Sequence, residues 1–308
     1  MDTFLPFPKV LRIEPASQCN LACIHCPTGT IDMDRGIMQE STFEKILQEV
    51  SLHKDEIKVI VLYHGGEPLL NKNFAKMIQK LKDINPHFFL KTVSNGMALT
   101  QERSRELIES KLDAIEFSLD GISAQESEFI RKKSDVIKIV ANIKKLITFK
   151  QETNTICPEI SIATTQFFSK EYPLSDYPNP NVPTWLKETF NEKDIKEFKT
   201  TYTMKWPHMG DTGMFDFIKV ERVPASYCDH IINTMTIRAD GSVVPCCFDL
   251  TSQLTMGNIQ NNSLLDIWMN EKYNFLRVSI ENKKLVSICK NCLVLTSSTY
   301  LIPKWRTP

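Results

Sequence analysis

The segment Cys19–Cys26, CNLACIHC, places three cysteines at intervals of four and three residues. It directly follows the apolar segment Lys9–Glu14 (KVLRIE), which we predict to be a strand. Three thiolates on one loop can bind a single metal ion or hold three corners of an iron–sulfur cube. A zinc site normally takes a fourth Cys or His ligand, and His25, between two of the cysteines, could hardly reach the same ion. A structural zinc clip and ordinary buried thiols remain alternatives to a cluster.

Beyond this segment, short apolar runs alternate with amphipathic segments through the first two-thirds of the chain. Further strands are expected at Ile57–Tyr63, His87–Val93, Ala114–Leu119 and Ile160–Ala163. Helical spacing predicts helices over Met38–Val50, Phe74–Leu81, Gln101–Ser110 and Val136–Phe149. Repeated βα units argue for a parallel sheet with helical crossovers, either doubly wound or closed into a full or partial barrel. In both architectures the functional loops follow the carboxyl ends of the strands.

The composition narrows the possible partners and compartments. The chain of 308 residues carries 37 Lys and Arg against 37 Asp and Glu, so its formal net charge is zero. This balance gives no electrostatic reason to expect a nucleic acid, and no apolar run approaches the ~20 residues of a membrane span. The amino terminus lacks a signal-peptide pattern, so we expect a cytoplasmic protein that binds no membrane. In that reducing compartment, nine cysteines indicate metal binding rather than a disulfide framework.

The stretch from Phe167 to Thr200 breaks the βα regularity. Its prolines predict a loop, and they are Pro173, Pro178, Pro180 and Pro183. A charged segment with helical character follows over Trp185–Phe198. This region is either a surface insertion or a loop that determines substrate specificity.

The last third of the chain has a different character, and we place a boundary near Arg222–Pro224. Asp240-Gly241 predicts the turn of a β-hairpin between Thr234–Arg238 and Ser242–Val244. An amphipathic helix is expected over Leu264–Ile280.

The spacing CxxxCxxC after the first strand of a βα series resembles the signature of the radical S-adenosylmethionine (AdoMet) enzymes. Further segments resemble family motifs in the same order: His64-Gly65-Gly66-Glu67-Pro68 the GGEP motif, Ser94-Asn95-Gly96 the turn after the third strand, and Ser118-Leu119-Asp120-Gly121 the SLDG segment. The resemblance covers essentially the whole chain. It implies an α/β fold, namely a partial (β/α)6 barrel with a small carboxyl-terminal α+β domain.

The resemblance also implies which residues hold the cofactors. Cys19, Cys23 and Cys26 would bind a [4Fe–4S] cluster whose fourth iron stays open for the amino and carboxylate groups of AdoMet. The expected AdoMet-binding residues are His25, Gly65, Gly66, Glu67, Pro68, Asn95, Ser118 and Arg131. Among these, Glu67 would accept a hydrogen bond from the ammonium, Ser118 and Arg131 would contact the ribose and carboxylate, and His25 would lie beside the adenine.

Five further cysteines lie in the last third of the chain, and they are Cys228, Cys246, Cys247, Cys289 and Cys292. Their placement around a hairpin and after a helix resembles the SPASM domain, or its shorter form Twitch, which binds auxiliary clusters. The resemblance implies a second [4Fe–4S] cluster held by Cys228, Cys246, Cys289 and Cys292, with a role in electron transfer. It also implies domains of residues 1–222 and 223–308. A four-thiolate zinc ribbon would use similar ligands and remains the alternative.

Cys247 distinguishes between possible mechanisms. Successive side chains of extended backbone point to opposite sides, so Cys247 could face the barrel if Cys246 faces the cluster. Its thiol could then donate a hydrogen atom to a substrate radical and invert a stereocentre, as in the epimerases that resemble this arrangement. It could equally be a buried spare thiol, or the ligand in place of Cys246. Cys157 is expected to be a small core residue.

Three functions are compatible with these patterns. The first is radical epimerisation of a carbon in a polar substrate, with a carbohydrate or cyclitol favoured over a peptide. The second is radical dehydrogenation of a carbinol, as in the aminocyclitol dehydrogenases, which this chain resembles in size and in its carboxyl-terminal pattern; peptide modification is a further variant. The third is a non-catalytic iron–sulfur or zinc carrier or scaffold. The catalytic functions imply a small-molecule substrate, an electron donor such as flavodoxin or ferredoxin, and loss of activity in air.

Hinge packing between the two predicted domains is favoured for residues of the segment TYTMKWPHMGD, with substrate contact as the alternative, and these residues are Tyr202, Lys205, Trp206, His208 and Asp211. In the alternative, a sugar ring could stack there on an aromatic side chain and meet polar groups. About eighteen residues precede Cys19, so we expect no amino-terminal domain that recognises a leader peptide.

Overall fold

The computed structural model describes residues 5–169, 180–207 and 209–306. Its strands are β1 (Val10–Ile13), β2 (Ala22–Cys23), β3 (Val59–Val61), β4 (Phe89–Ser94), β5 (Ala114–Ser118), β6 (Arg131–Lys132), β7 (Glu159–Gln166), β8 (Glu197–Tyr202), β9 (Phe215–Glu221), β10 (Thr234–Ile237), β11 (Ser242–Val244), β12 (Gly257–Asn258) and β13 (Ser297–Pro303). Its helices are α1 (Pro27–Thr30), α2 (Glu40–Leu52), α3 (Phe74–Ile84), α4 (Gln101–Glu109), α5 (Ala124–Ile130), α6 (Val136–Glu152), α7 (Thr184–Thr189), α8 (Asp229–Asn233), α9 (Leu264–Met269), α10 (Glu271–Glu281) and α11 (Ser287–Lys290). Pro173, Pro178 and His208 lie outside the described residues.

The largest sheet has the strand order β12-β11-β10-β1-β3-β4-β5-β7-β8. The six strands from β1 to β8 in this order pair in parallel. Helices α2, α3, α4, α6 and α7 lie in the connections between them. The partial (β/α)6 barrel is thus confirmed. Because the strands are parallel, their carboxyl ends all meet at one end of the barrel, where the loops with the motifs converge.

The strands have two chemically different faces. Residues such as Leu11, Ile115 and Ile162 are fully buried and belong to the main hydrophobic core, which includes residues of the surrounding helices. Alternate residues on the same sheet, among them Arg12 and Glu116, project to the opposite side and are less buried. The outside of the barrel is therefore apolar, and its interior carries charged groups.

Two of the predicted helices are wrong in extent. The helix expected over Leu264–Ile280 is two helices, because the side chain of Asn270 accepts a hydrogen bond from the Tyr273 nitrogen and starts α10. In the segment Trp185–Phe198, the helix ends at Thr189 and the chain then enters β8, which pairs with β7 as the sixth barrel strand. Residues 197–202 form a strand because they pair with the edge of β7, and this pairing cannot be predicted from the spacing of apolar residues within the segment.

The carboxyl-terminal segment continues the same sheet. Strand β10 lies parallel to β1, and β10 and β11 form the predicted hairpin. Gly241 has a φ of +83° in its turn, a conformation that glycine adopts without steric cost. Strands β9 and β13 pair separately and antiparallel. The division of the chain after residue 222 stays a prediction. Within the described ranges, we find no helix with the length and apolar character needed to cross a bilayer.

Candidate active site and cysteine cavities

The three amino-terminal cysteines border one cavity at the carboxyl ends of the parallel strands. Cys19, Cys23 and Cys26 lie in the wall of this space, which we call the reaction cavity and which has a volume of about 370 Å³. Cys23 is held by the pairing of β2 with β6, where it lies opposite Arg131. Gly29 packs closely behind it, since an added Cβ would lie 2.6 Å from the Cys23 nitrogen. Backbone packing therefore fixes the cysteine loop.

The predicted glycine turn packs against the same loop. A Cβ on Gly66 would lie 2.2 Å from the carbonyl oxygen of Ala16, so a side chain would not fit there. Gly65, Gly66 and Glu67 border the reaction cavity. Pro68 is buried and begins a short 3₁₀ turn next to them. A ligand in the cavity can thus approach the backbone of the turn closely.

Glu67 is already engaged by the protein. Its carboxylate accepts hydrogen bonds from the Ser94 hydroxyl at 2.9 Å, the Asn95 nitrogen at 2.8 Å and the Leu69 nitrogen at 3.0 Å. Burial raises the pKa of the Glu67 carboxyl, and these donors offset part of that rise. The Asn95 side chain also reaches the Cys19 sulfur at 3.7 Å. Glu67 therefore joins β3 to β4, and a carboxylate with about four lone-pair sites retains capacity for one more donor.

A buried ion pair forms another wall of the cavity. Nη1 of Arg131 lies 2.6 Å from Oδ2 of Asp120, and the Thr165 nitrogen donates to the other carboxylate oxygen at 2.9 Å. Nε2 of His25 lies 3.5 Å from the same Asp120 carboxylate. Ser118 borders the cavity beside this group. The arrangement brings together three of the residues that the sequence predicted as AdoMet contacts.

The charge states of this wall follow from burial and pairing. Burial alone would raise the pKa of the Asp120 carboxyl, but Arg131 and then His25 hold it below its usual value. Burial lowers the pKa of His25. Near neutral pH the wall therefore combines a paired carboxylate with an uncharged imidazole, whose flat ring suits contact with a base.

Four of the carboxyl-terminal cysteines surround a second, enclosed space. Cys228, Cys246, Cys289 and Cys292 line this auxiliary cavity together with mainly apolar side chains. Burial raises the pKa of the thiols, for Cys289 to about 12, so loading a metal cluster would release protons. In the part of the chain that the structure describes, no three His, Cys, Asp or Glu side chains converge on a point suited to one metal ion. A set of four thiolates suits an iron–sulfur cluster or a zinc ion alike.

Cys247 has different surroundings from Cys246. It is absent from the linings of both the auxiliary and the reaction cavity, and the Arg12 guanidinium is the main positive charge acting on it. Its thiol still interacts electrostatically with Cys228 and Cys292 of the auxiliary cavity. The positive charge of Arg12 also interacts electrostatically with Tyr63, which borders the reaction cavity. Of the two adjacent cysteines, Cys246 is thus the one that lines the auxiliary cavity.

Among the four described residues for which substrate contact was the alternative to hinge packing, only Trp206 borders the reaction cavity. Tyr202 packs edge-on against Phe168 at 5.0 Å. Lys205 lies over an aromatic ring at 4.5 Å, and Asp211 accepts a hydrogen bond from a nearby loop nitrogen at 2.8 Å. These three residues therefore belong to packing and loop structure. His208 lies outside the described residues.

Sequence reasoning did not assign three charged residues of the cavity wall: Asp120 of the SLDG segment, Glu116 and Lys199. Glu116 on β5 and Lys199 on β8 both border the cavity, and their side chains form an ion pair at 2.7 Å. The signal was available in β5, where Glu116 stands between the buried Ile115 and Phe117. No such signal existed in the sequence for Lys199, because the preceding segment was predicted to be helical and no barrel strand was predicted there.

Two contacts connect the glycine turn to the carboxyl-terminal segment. The Glu14 carboxylate accepts hydrogen bonds from the Gly65 nitrogen at 2.9 Å and the Ala239 nitrogen at 3.1 Å, and it pairs with Arg238 at 3.3 Å. Nε2 of His64 lies 3.4 Å from the carbonyl oxygen of Asp249, three residues after Cys246. The two cysteine sites are therefore structurally linked through the turn.

We expect the stability of the fold to fall on acidification partly because of His64. Burial lowers the pKa of His64 to about 4, from 6.5 in an unfolded chain. The unfolded state therefore takes up a proton first, so the contribution is complete above pH 6.5 and is lost between pH 6.5 and pH 4. A shift of this size corresponds to about 3 kcal/mol.

The pH dependence can be assigned with a His64→Gln variant, which keeps a donor for Asp249 and cannot titrate. Anaerobic urea unfolding of both proteins should give free energies of unfolding whose difference changes by about 3 kcal/mol between pH 7 and pH 4. A difference that stays constant over this range would show that His64 is not the responsible group.

Two family models match this chain. The radical SAM superfamily model matches residues 13–157, and the SPASM model, an iron–sulfur cluster-binding domain, matches residues 228–293. These ranges contain the amino-terminal cysteine loop and the four cysteines of the auxiliary cavity, respectively.

Curated relatives match nearly the full length. The tungsten-containing aldehyde ferredoxin oxidoreductase cofactor-modifying protein of Pyrococcus furiosus is 27% identical over 317 residues, covering 92% of this chain and 87% of the relative. The cysteine-type anaerobic sulfatase-maturating enzyme of Clostridium perfringens is 24% identical over 326 residues, covering 92% and 86%.

Solved structures share the fold. BtrN in complex with AdoMet and 2-DOIA has a TM-score of 0.58 at 18% identity and covers 93% of both chains. The structure of anSMEcpe with bound AdoMet has a TM-score of 0.60 at 16% identity and covers 91% of this chain and 88% of the other. The chain thus carries a radical SAM domain and a SPASM domain, two modules that indicate [4Fe–4S] clusters and AdoMet as its cofactors.

Proposed function

We propose that this radical SAM enzyme removes a hydrogen atom from a carbon of a carbohydrate or cyclitol and inverts that carbon, with Cys247 as the hydrogen-atom donor. The observation that carries the proposal is the separation of two adjacent cysteines. Cys246 lines the auxiliary cavity, whereas Cys247 lies outside that lining, beside Arg12 on the inner side of β1. A thiol there is free of the ligand role that Cys246 would fill.

The cofactor sites are assigned on the same basis. Cys19, Cys23 and Cys26 would hold the cluster that binds AdoMet, and when bound it supplies the electron that cleaves AdoMet to methionine and a 5′-deoxyadenosyl radical. The glycine turn and Asn95 would bind the methionine end, and Asp120 with Arg131 would orient the nucleoside. Cys228, Cys246, Cys289 and Cys292 would hold the auxiliary cluster.

The proposed reaction balances in atoms and electrons. AdoMet would supply the radical that accepts a hydrogen atom from the substrate carbon, so that 5′-deoxyadenosine and a carbon-centred substrate radical would remain. Cys247 gives its S–H hydrogen atom to the opposite face of that carbon. One electron and one proton then restore the thiol, so each turnover consumes one AdoMet, two electrons and one proton. A flavodoxin or ferredoxin of the cytosol would supply the electrons.

The role of Cys247 can be tested with a Cys247→Ser variant, which keeps the size of the side chain but replaces S–H by a much stronger O–H bond. In deuterated water, the wild-type enzyme should place one deuterium at the inverted carbon of a cyclitol or amino-sugar substrate. The variant should still form 5′-deoxyadenosine but release no inverted product. Chiral chromatography and mass spectrometry measure both outcomes.

A matched Cys157→Ser variant is the control, because Cys157 precedes β7 at the amino ends of the strands, away from the reaction cavity. It should epimerise like the wild type. Inverted, deuterated product from Cys247→Ser at the wild-type rate would refute the assignment.

One contact favours dehydrogenation as a second candidate. The Trp206 ring, in the wall of the reaction cavity, lies 5.6 Å from the ring of Phe248, which lines the auxiliary cavity. An aromatic pair between the two cavities suits transfer of an electron from a substrate radical toward an auxiliary cluster. In that case Cys247→Ser should continue to release an oxidised product, a ketone two hydrogens lighter than the substrate.

A further inference from the structure

The inner wall of the barrel opposite the cysteine loop contains a polar recess. Glu116 and Lys199 stand on β5 and β8, on either side of β7. In this part of the sheet β7 contributes only small side chains, Ser161 and Ala163, and Ala163 lies directly beside Lys199 in the register. Because these residues are small, the Lys199 ammonium reaches across β7 to the Glu116 carboxylate at 2.7 Å.

This ion pair remains accessible from the cavity. The Lys199 side chain is 45% exposed and the Glu116 side chain 24% exposed, and both residues border the reaction cavity. The two charges offset each other, so the pair presents an acceptor and a donor side by side. Such a pair is suited to hydroxyl groups, since one hydroxyl can donate to the carboxylate while a neighbouring one accepts from the ammonium.

An aromatic surface completes the recess. Trp206 borders the same cavity, and its ring is supported by Phe248 at a tilt of 47°. Tyr63 and Thr201, which carry hydroxyl groups, border the same cavity. A flat apolar face combined with a few placed polar groups is the usual composition of a site for a small polar ligand.

We propose that Glu116, Lys199 and Trp206 form the substrate subsite of the reaction cavity and bind a polyhydroxylated ring through two neighbouring hydroxyls and one C–H face. The inference rests on the proposed function for the position of the reacting carbon, and it adds the residues that select the substrate. In this subsite, the enzyme recognises the uncharged, hydroxylated part of the substrate.

The test is ligand binding to the anaerobic holoenzyme with AdoMet and without reductant. The probes are myo-inositol and D-glucosamine, observed by saturation-transfer NMR, with a short serine-containing peptide as the competing class. Glu116→Gln and Lys199→Met should each weaken binding of the ring probes by about tenfold, since a hydrogen bond to a charged group contributes about 1.5–3 kcal/mol. Trp206→Ala should weaken it similarly, and Trp206→Phe less.

The sequence offers a matched control where β7 and β8 begin. Glu159 and Lys196 form an exposed ion pair at 3.0 Å, and Glu159→Gln and Lys196→Met should leave probe binding unchanged. The affinity for AdoMet should stay within about twofold in all variants, which shows that they are folded. Equal probe binding by wild type and cavity variants, or binding of the peptide but of neither ring, overturns the subsite.

Failure of the proposed function gives a different result. If the reduced wild-type enzyme does not cleave AdoMet, the reaction itself is wrong, whatever the probes do. If it cleaves AdoMet and a ring probe raises 5′-deoxyadenosine formation equally in the wild type and the Glu116 and Lys199 variants, the radical chemistry stands and only the subsite is wrong.

Discussion

The Cys23→Ala variant is expected to lose reductive cleavage of AdoMet and to bind about four fewer irons per chain, because a cube anchored by three thiolates loses one anchor. Cys23 is the most buried of the three, with 8% of its surface exposed, and the β2–β6 pair fixes its position. Iron and sulfide analysis, chromatography of 5′-deoxyadenosine and electron paramagnetic resonance of the reduced protein measure the effect. The remaining resonance signal should no longer respond to AdoMet.

Two companion variants separate the sites. Cys289→Ala should remove the auxiliary cluster and leave a signal that AdoMet still changes. Cys157→Ala should keep all of the iron and the wild-type cleavage rate, because Cys157 lies at the amino end of β7, distant from both cavities. Cleavage that persists in Cys23→Ala, or wild-type protein that binds zinc and no iron, would contradict the assignment of the loop.

Local sequence was sufficient for much of the site. The cysteine spacing, the two glycines of the turn and the hairpin at Asp240-Gly241 each depend on a few consecutive residues, and the structure places all of them as expected. Gly66 is the clearest case, since close packing of backbone leaves no room for a side chain. A local steric requirement of this kind restricts the residue type at a single position, so it can be recognised from the sequence.

Features that depend on distant pairing could not be predicted in the same way. Strand β8 owes its identity to the edge of β7, and the pair Glu116–Lys199 joins residues 83 positions apart. The parallel pairing of β10 with β1 likewise joins residues far apart in the sequence, such as Val10 and Thr234. The alternation of apolar and polar residues along a strand predicts that a charged residue faces the barrel interior. Only the assembled sheet shows with which opposite charge it forms an ion pair.

Glu14 illustrates this limit and carries the second large expected effect. It is fully buried, and its partners Gly65, Arg238 and Ala239 are 51, 224 and 225 residues away. Glu14→Ala leaves the buried Arg238 guanidinium without its counter-charge and two backbone nitrogens without an acceptor. Breaking a buried pair in this way costs roughly 3–5 kcal/mol. The glycine turn also loses its anchor, so the affinity for AdoMet should fall together with the stability.

The charge pairing can be separated from the packing by a double-mutant cycle. If Arg238 without a partner causes the loss, Glu14→Ala combined with Arg238→Met should be more stable than the sum of the single effects by about 1–3 kcal/mol, as measured by anaerobic urea unfolding. Glu159→Gln, which opens an exposed pair with Lys196, should cost at most about 1 kcal/mol and leave AdoMet binding unchanged. AdoMet affinity, measured by equilibrium dialysis without reductant, should recover less than stability in the double variant, because the Gly65 nitrogen still lacks its acceptor. Wild-type stability and affinity in Glu14→Ala would show that this carboxylate does not couple the turn to the carboxyl-terminal segment.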